Sequence, residues 1–216
     1  MKKEEILAQL KLSIIEGEEE NTIKLTKVAV EEGIDIRKIL NDTIIVAAEE
    51  VGKLYEQKEY FLTELILGAE AMTSAMKILK PLLENSSVSS KGTILLGTVQ
   101  GDLHNIGKDI VKSLLMGQGY DIVDLGVDVS PEKFVEAAKE YNPDIIGLSA
   151  LLTVAISKLH ETIMALKEAD IPAKIIIGGG IVSEKTCVRI GADSWSKEAY
   201  DGVKKINELI KNRGGA

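Results

Sequence analysis

Beyond Lys91 the chain alternates short apolar runs with amphipathic segments of helical length, and this change of period constrains the fold more than any other feature. Runs at 93–98, 121–125, 145–149 and 174–177, and a short one near 192–195, predict five strands, with helices in the intervals and at the C-terminus. Strands separated by helices pair in parallel through right-handed crossovers. The expected fold is α/β: a doubly wound, flavodoxin-like five-stranded parallel sheet whose ligand crevice lies beyond the carboxyl ends of the strands.

The first half has a different rhythm. Up to about Leu83 the apolar residues recur at helical spacing and predict four helices in a small bundle. Asn21 is the expected N-cap of the second and Gly33 its terminator, while Asp35 is placed to cap a third helix running to about Tyr55. In the fourth, Leu65, Ala69, Met72, Met76 and Leu79 line one face and Pro81 marks the expected end. Glu84-Asn85-Ser86-Ser87-Val88-Ser89-Ser90 has linker composition. The expected domains are therefore 1–88, helical, and 91–216, α/β.

Composition removes several function classes. With 216 residues and 45% hydrophobic content the chain can bury a real core, and a net charge of -8 without dense Lys/Arg runs argues against nucleic acid as a partner. No apolar stretch approaches a membrane span and the N-terminus does not resemble a signal peptide, so a cytoplasmic location without membrane attachment is expected. The single cysteine, Cys187, excludes an internal disulfide, a thiolate zinc cage and an iron–sulfur cluster held by this chain alone. It is read as a small buried hydrophobe.

Chemistry concentrates at the predicted strand ends. Gly101-Asp102-Leu103-His104-Asn105-Ile106-Gly107 follows the first strand and opens a helix. A neutral imidazole is a good metal ligand, and a carboxylate two residues earlier can accept its other ring N–H, fixing the tautomer. Gly101 and Gly107 leave room for a bulky ligand. Taken alone, this string also suits a loop histidine bonded to Asp102 for structural reasons. Two further strand ends carry complementary features: Ser149-Ala150-Leu151-Leu152-Thr153, whose hydroxyls can meet a polar edge, and Gly178-Gly179-Gly180, which lets a ligand approach.

Together these segments, with Ile122-Val123-Asp124-Leu125-Gly126-Val127, resemble over nearly the whole chain the corrinoid proteins of methyltransferase systems in methanogens and acetogens, and the cobalamin-binding module of methionine synthase. The resemblance implies cobalamin, as methylcobalamin, cob(I)alamin or a related corrinoid, bound with its own base displaced. His104 would be the axial ligand of cobalt and Asp102 its hydrogen-bond partner. Ser149, Leu151, Thr153, Gly178, Gly179 and Gly180 would line the tunnel for the displaced nucleotide, and Gly191 and Ala192 would border the same tail. The helical half would cover the corrin's upper face, with Phe61 packed against it. The chain would then be no catalyst alone but a methyl carrier between a substrate-specific methyltransferase and a second one that passes the group to tetrahydrofolate or coenzyme M, kept active by a reductive activase.

Two positions depart from the family pattern. A serine or threonine that extends the Asp-His pair into a proton relay is replaced by Ala155, and the proline of the cap motif by Thr63, which is expected to cap the next helix. His160 is expected at the surface, the glutamates at 16 and 18–20 in a solvated turn, and Trp195 either near the cofactor tail or against the sheet. The competing readings are the small subunit of an adenosylcobalamin mutase, a cobalamin-dependent sensor, and a nucleotide-binding domain that would not need His104.

Overall fold

The computed structural model describes residues 2–84 and 90–213, so most of the expected linker, 85–89, lies outside the described residues. The chain divides into two compact units: Met1–Ser90 with Ser113–Gly119, and Lys91–Lys112 with Tyr120–Ala216.

The first unit is helical. α1 (Lys3–Ile15) and α2 (Glu19–Glu31) pack on one another, and both pack on α5 (Leu62–Glu84). Between them the chain runs without a break through α3 (Ile36–Ile39), a π-turn (Leu40–Ile44) and α4 (Ile45–Glu56). The α5 stripe is buried as its spacing predicts: Leu65, Ala69, Met72, Met76 and Leu79 are all closed to solvent. Asp35 caps α3 by accepting from the Arg37 N–H.

Three local expectations fail. Glu18, not Asn21, occupies the N-cap of α2, and Asn21 instead donates from Nδ2 to the Glu18 carboxylate. Pro81 does not end α5, which continues to Glu84. The proline sits in the final turn, so the one i→i−4 bond it removes and the clash of its ring affect only the end of the helix. Thr63 is not the cap of α5 either: Glu64 reaches back to accept from the N–H of Phe61, the residue that precedes the helix.

The second unit is an α/β sandwich. β1 (Thr93–Thr98), β2 (Asp121–Asp124), β3 (Ile145–Ser149), β4 (Lys174–Gly178) and β5 (Ser194–Ser196) form one parallel sheet in the order β2-β1-β3-β4-β5. Helices α6 (Ile106–Gly117), α7 (Pro131–Tyr141), α8 (Ile156–Glu168), α9 (Glu184–Ile190) and α10 (Ala199–Arg213) fill the intervals and the end. One face buries Leu95, Ile146, Leu148, Ile175 and Ile177 against Phe134 of α7 and Leu159 and Ile163 of α8. Gly97 is required there, because a Cβ would stand 2.6 Å from Phe134 Cζ. The alternating residues Leu96, Gly147, Ser149, Ile176 and Gly178 belong to the opposite face, toward α6 and α10. In this order the connections diverge between β1 and β3, so the loops after those two strands flank the crevice where such sheets hold ligands.

Candidate functional site

The loop after β1 is pinned before any ligand arrives. Gly101 takes a left-handed φ of 82° and donates its N–H to Asp128 Oδ1 at 2.7 Å. The Asp102 N–H returns to the Val99 carbonyl, and the Asp102 carbonyl accepts from the Asp128 N–H. Thr98, at the end of β1, donates its hydroxyl to the His104 carbonyl.

The Asp102 side chain is fully buried and joins the two loops of the crevice. Its Oδ1 accepts from the His104 N–H at 3.0 Å and lies 2.7 Å from His104 Nδ1. Its Oδ2 accepts from the N–H groups of Leu151 and Leu152, just after β3, at 2.6 and 3.0 Å. Burial works to raise the carboxyl pKa, but these backbone N–H donors and the imidazole outweigh it and hold it down at about 2. An ionised carboxylate only accepts, so Nδ1 carries the proton and Nε2 is left with its lone pair. The imidazole itself is 54% exposed. The site thus presents one basic nitrogen on a ring whose tautomer and tilt are set by a buried carboxylate.

The two loops that meet at Asp102 also expose apolar side chains: Leu103 (71% exposed), Leu151, Leu152 and Val154, with Ile106 at the start of α6. Among the described residues no group of three or more His, Cys, Asp or Glu could hold a metal ion. A single protein nitrogen set in an apolar platform suits a metal that brings its own equatorial ligands within a large, largely apolar molecule.

A cavity of about 100 Å³ lies along the sheet face between α6 and α10. Its walls include Leu96, Gly147, Ser149, Ile176 and Gly178 from the strands, Gly107, Lys108 and Val111 from α6, and Gly202 and Ile206 from α10. Lys108 is nearly fully buried, and its Nζ donates to Asp109 and Asp124 while Lys112 donates to the other Asp124 oxygen. Burial pushes Asp124 up, and the two lysines more than reverse this, leaving it below the ordinary carboxylate range.

The residues predicted from sequence fall into groups. The loop 101–107 and the segment 149–152 meet at Asp102, and Ser149, Gly107, Gly178 and Gly179 line the cavity. At Gly179, φ is 121° and a Cβ would overlap the Ala150 carbonyl, so only glycine passes. Gly180 lies beside Leu151, Thr153 opens an exposed 3-10 turn, and neither lines the cavity. Asn105 is exposed and bonded to Asp109. Phe61 is 70% exposed in the helical unit. Gly191 and Ala192 correct an expectation: they lie at the amino end of β5, on the sheet edge opposite the crevice, because Gly191 is the left-handed C-cap that lets α9 turn into β5. The β5 end that does line the cavity is Ser196, Lys197, Glu198 and Ala199, which sequence reading missed for want of any motif there. Trp195 packs against the buried core of the sheet, with Lys205 Nζ 4.8 Å from its ring. Cys187 is buried, His160 is exposed, and Glu19 accepts from Ser74. Ala155 is buried in the core and offers no hydroxyl, and Asp102 Oδ2 accepts instead from the backbone amides of Leu151 and Leu152.

Comparison with known proteins finds matches over nearly the whole chain. Two family models, both described as a B12 binding domain, match residues 92–204 and 6–80. A corrinoid protein of Desulfitobacterium hafniense is 39% identical over 95% of this chain and 97% of its own length. Trimethylamine corrinoid protein 1 of Methanosarcina acetivorans is 39% identical over 96% and 98%. Among solved structures, a chain of the methanol:cobalamin methyltransferase complex of Methanosarcina barkeri superposes with a TM-score of 0.84 at 30% identity, covering 98% of this chain and 81% of that one.

Proposed function

This chain belongs to the B12-binding corrinoid proteins, and from that premise we propose that it is a methyl carrier serving two methyltransferases, with His104 as the axial ligand of cobalt. The observation that carries the assignment is the buried Asp102 carboxylate bonded to His104 Nδ1, which leaves Nε2 of the exposed ring as the nitrogen free to meet a metal. The corrinoid, held at His104, would supply the methyl-transfer chemistry.

The protein's own residues do the rest. Asp102 fixes the orientation of the imidazole, and because its two oxygens are already satisfied by four N–H groups, the pair is set before the ligand arrives. Leu103, Ile106 and Leu151 offer the apolar contact a corrin underside needs. The cavity walls, with Ser149 and Gly178, would take the displaced nucleotide. A second methyltransferase and a reductive activase would complete the system. The second B12-binding match over residues 6–80 supports a carrier with a helical half, rather than a mutase subunit without one. The relatives' names mention trimethylamine and dimethylamine at 39% and 38% identity, so likeness alone does not single out a methyl donor, and finding the partner enzyme identifies it.

Absorption spectroscopy tests the ligand. Reconstituted with methylcobalamin, the wild-type protein is expected to show the spectrum of histidine-bound cobalt with the benzimidazole displaced. His104→Ala is expected to show the spectrum of the cofactor without a protein nitrogen. Identical axial-ligand bands in the two proteins would remove the assignment.

A further inference from the structure

The cavity between α6 and α10 has walls of two kinds, and the difference carries information about what fills it. Some positions are closed by the protein itself: at Gly147 a Cβ would lie 2.6 Å from Leu96 Cδ2. Others are not. A Cβ at Gly107 would meet nothing within 4 Å, and one at Gly178 only the Ser196 carbonyl at 3.8 Å. Neither has a left-handed φ. Nothing in the chain's own packing or backbone requires glycine at these two positions, and Gly107, inside the first turn of α6, weakens the helix it opens. Their missing side chains keep space for a ligand.

The polar groups of the cavity are largely spent on the protein. Lys108 Nζ is bonded to Asp109 and Asp124, and Ser196 Oγ to Glu198 and Asp201. Lys197 and Glu198 stand at the exposed mouth. Among the strand residues of the lining, Ser149 and Ser196 carry hydroxyls, and that of Ser196 is already bonded, which leaves Ser149.

We propose that this cavity selects corrinoids by the polarity of their nucleotide base, taking benzimidazolyl and phenolyl forms and disfavouring purinyl ones, with Gly107 and Gly178 keeping the room they need. The proposal rests on the corrinoid-binding reading of the site. A benzimidazole released from cobalt has one ring nitrogen to satisfy, which the Ser149 hydroxyl matches as a donor, and a phenol ring has little to satisfy. Adenine carries an exocyclic amine and several ring nitrogens, which would leave water for apolar walls and one hydroxyl. An unmatched polar group in such a site costs about 10- to 100-fold in affinity.

The test is a set of spectroscopic binding titrations of the full chain with cobalamin, phenolylcobamide, adeninylcobamide and cobinamide, which has no nucleotide. Phenolylcobamide has no base nitrogen for cobalt, so it reports insertion of the ring without the cost of displacing it. Cobalamin and phenolylcobamide are expected to bind about 10- to 100-fold more tightly than adeninylcobamide. Gly178→Val is expected to weaken cobalamin by a similar factor and to leave cobinamide unchanged. Gly107→Ala guards against a folding defect: it is expected to melt at or above the wild-type temperature while also losing affinity for cobalamin alone. Adeninylcobamide bound as tightly as cobalamin, or glycine variants that weaken cobinamide equally, would overturn the selectivity while leaving the carrier function standing. Failure of all four corrinoids to bind would remove both.

Discussion

Asp102 is completely shielded from water yet accepts four N–H groups, and that combination fixes how it responds to acid. Its folded-state pKa, about 2, lies below the ordinary carboxylate value, so its contribution is fully present above about pH 4 and disappears as the pH falls toward 2. The size is about 2 kcal/mol. Urea unfolding of wild type and Asp102→Asn across pH 5 to 2 is expected to show the wild type losing about that much more stability. Parallel curves would mean that the carboxylate is not held as described. At this scale the sequence was most informative about the pair itself, because a histidine two residues after an aspartate in a tight loop has few places to put its ring. It did not show that the partners of Oδ2 would be backbone amides of Leu151 and Leu152, some fifty residues away, since every residue but proline carries that donor. Gly191 and Ala192 were misplaced for the opposite reason: a recognisable string was assigned to the ligand crevice when its φ of 73° serves a helix end.

Two elements hold groups whose removal should have opposite effects. On α6 the Lys108 ammonium is 3% exposed and leans on Asp124 at the end of β2, with Lys112, one-third exposed, on the same carboxylate. Asp124→Ala strips a buried cation of a close counter-charge and is expected to cost about 3 kcal/mol, whereas Lys112→Met is expected to cost less than about 1 kcal/mol. Shifts in the urea midpoint at constant slope measure both. In the π-turn at Leu40–Ile44 the Thr43 hydroxyl is buried without a hydrogen-bond partner. Thr43→Val keeps the shape and removes the unsatisfied group, so it is expected to stabilise the protein by about 1 kcal/mol in thermal unfolding. Strand positions were legible because apolar runs end abruptly at turn residues: β1 and β3 lie where the pattern puts them. Helix ends were less so. Caps depend on where the backbone leaves the helix and on which nearby polar side chain reaches a free N–H: Glu18 holds the N-cap position of α2 without a side-chain bond, and Glu64, not Thr63, accepts from the Phe61 N–H.

For the molecule as a whole, a ligand that binds only the folded state stabilises it by mass action. Cobalamin at 100 times its dissociation constant is expected to add about 2.7 kcal/mol to the unfolding free energy, and His104→Ala at the same concentration much less. Equal stabilisation of both proteins, followed by chemical unfolding, would separate corrinoid retention from His104. The sequence by itself determined the class of fold, the five strands, the helical first half and the Asp102–His104 pair, because periodicity and close spacing are local properties that survive without a partner element. Only the tertiary structure decided that the β3 loop would clamp Asp102, that Ser196 to Ala199 would wall the cavity, and that Gly107 and Gly178 would face open space. These depend on which strands become neighbours in the order β2-β1-β3-β4-β5, and strand order is set by long-range packing that leaves no mark on any short stretch of sequence.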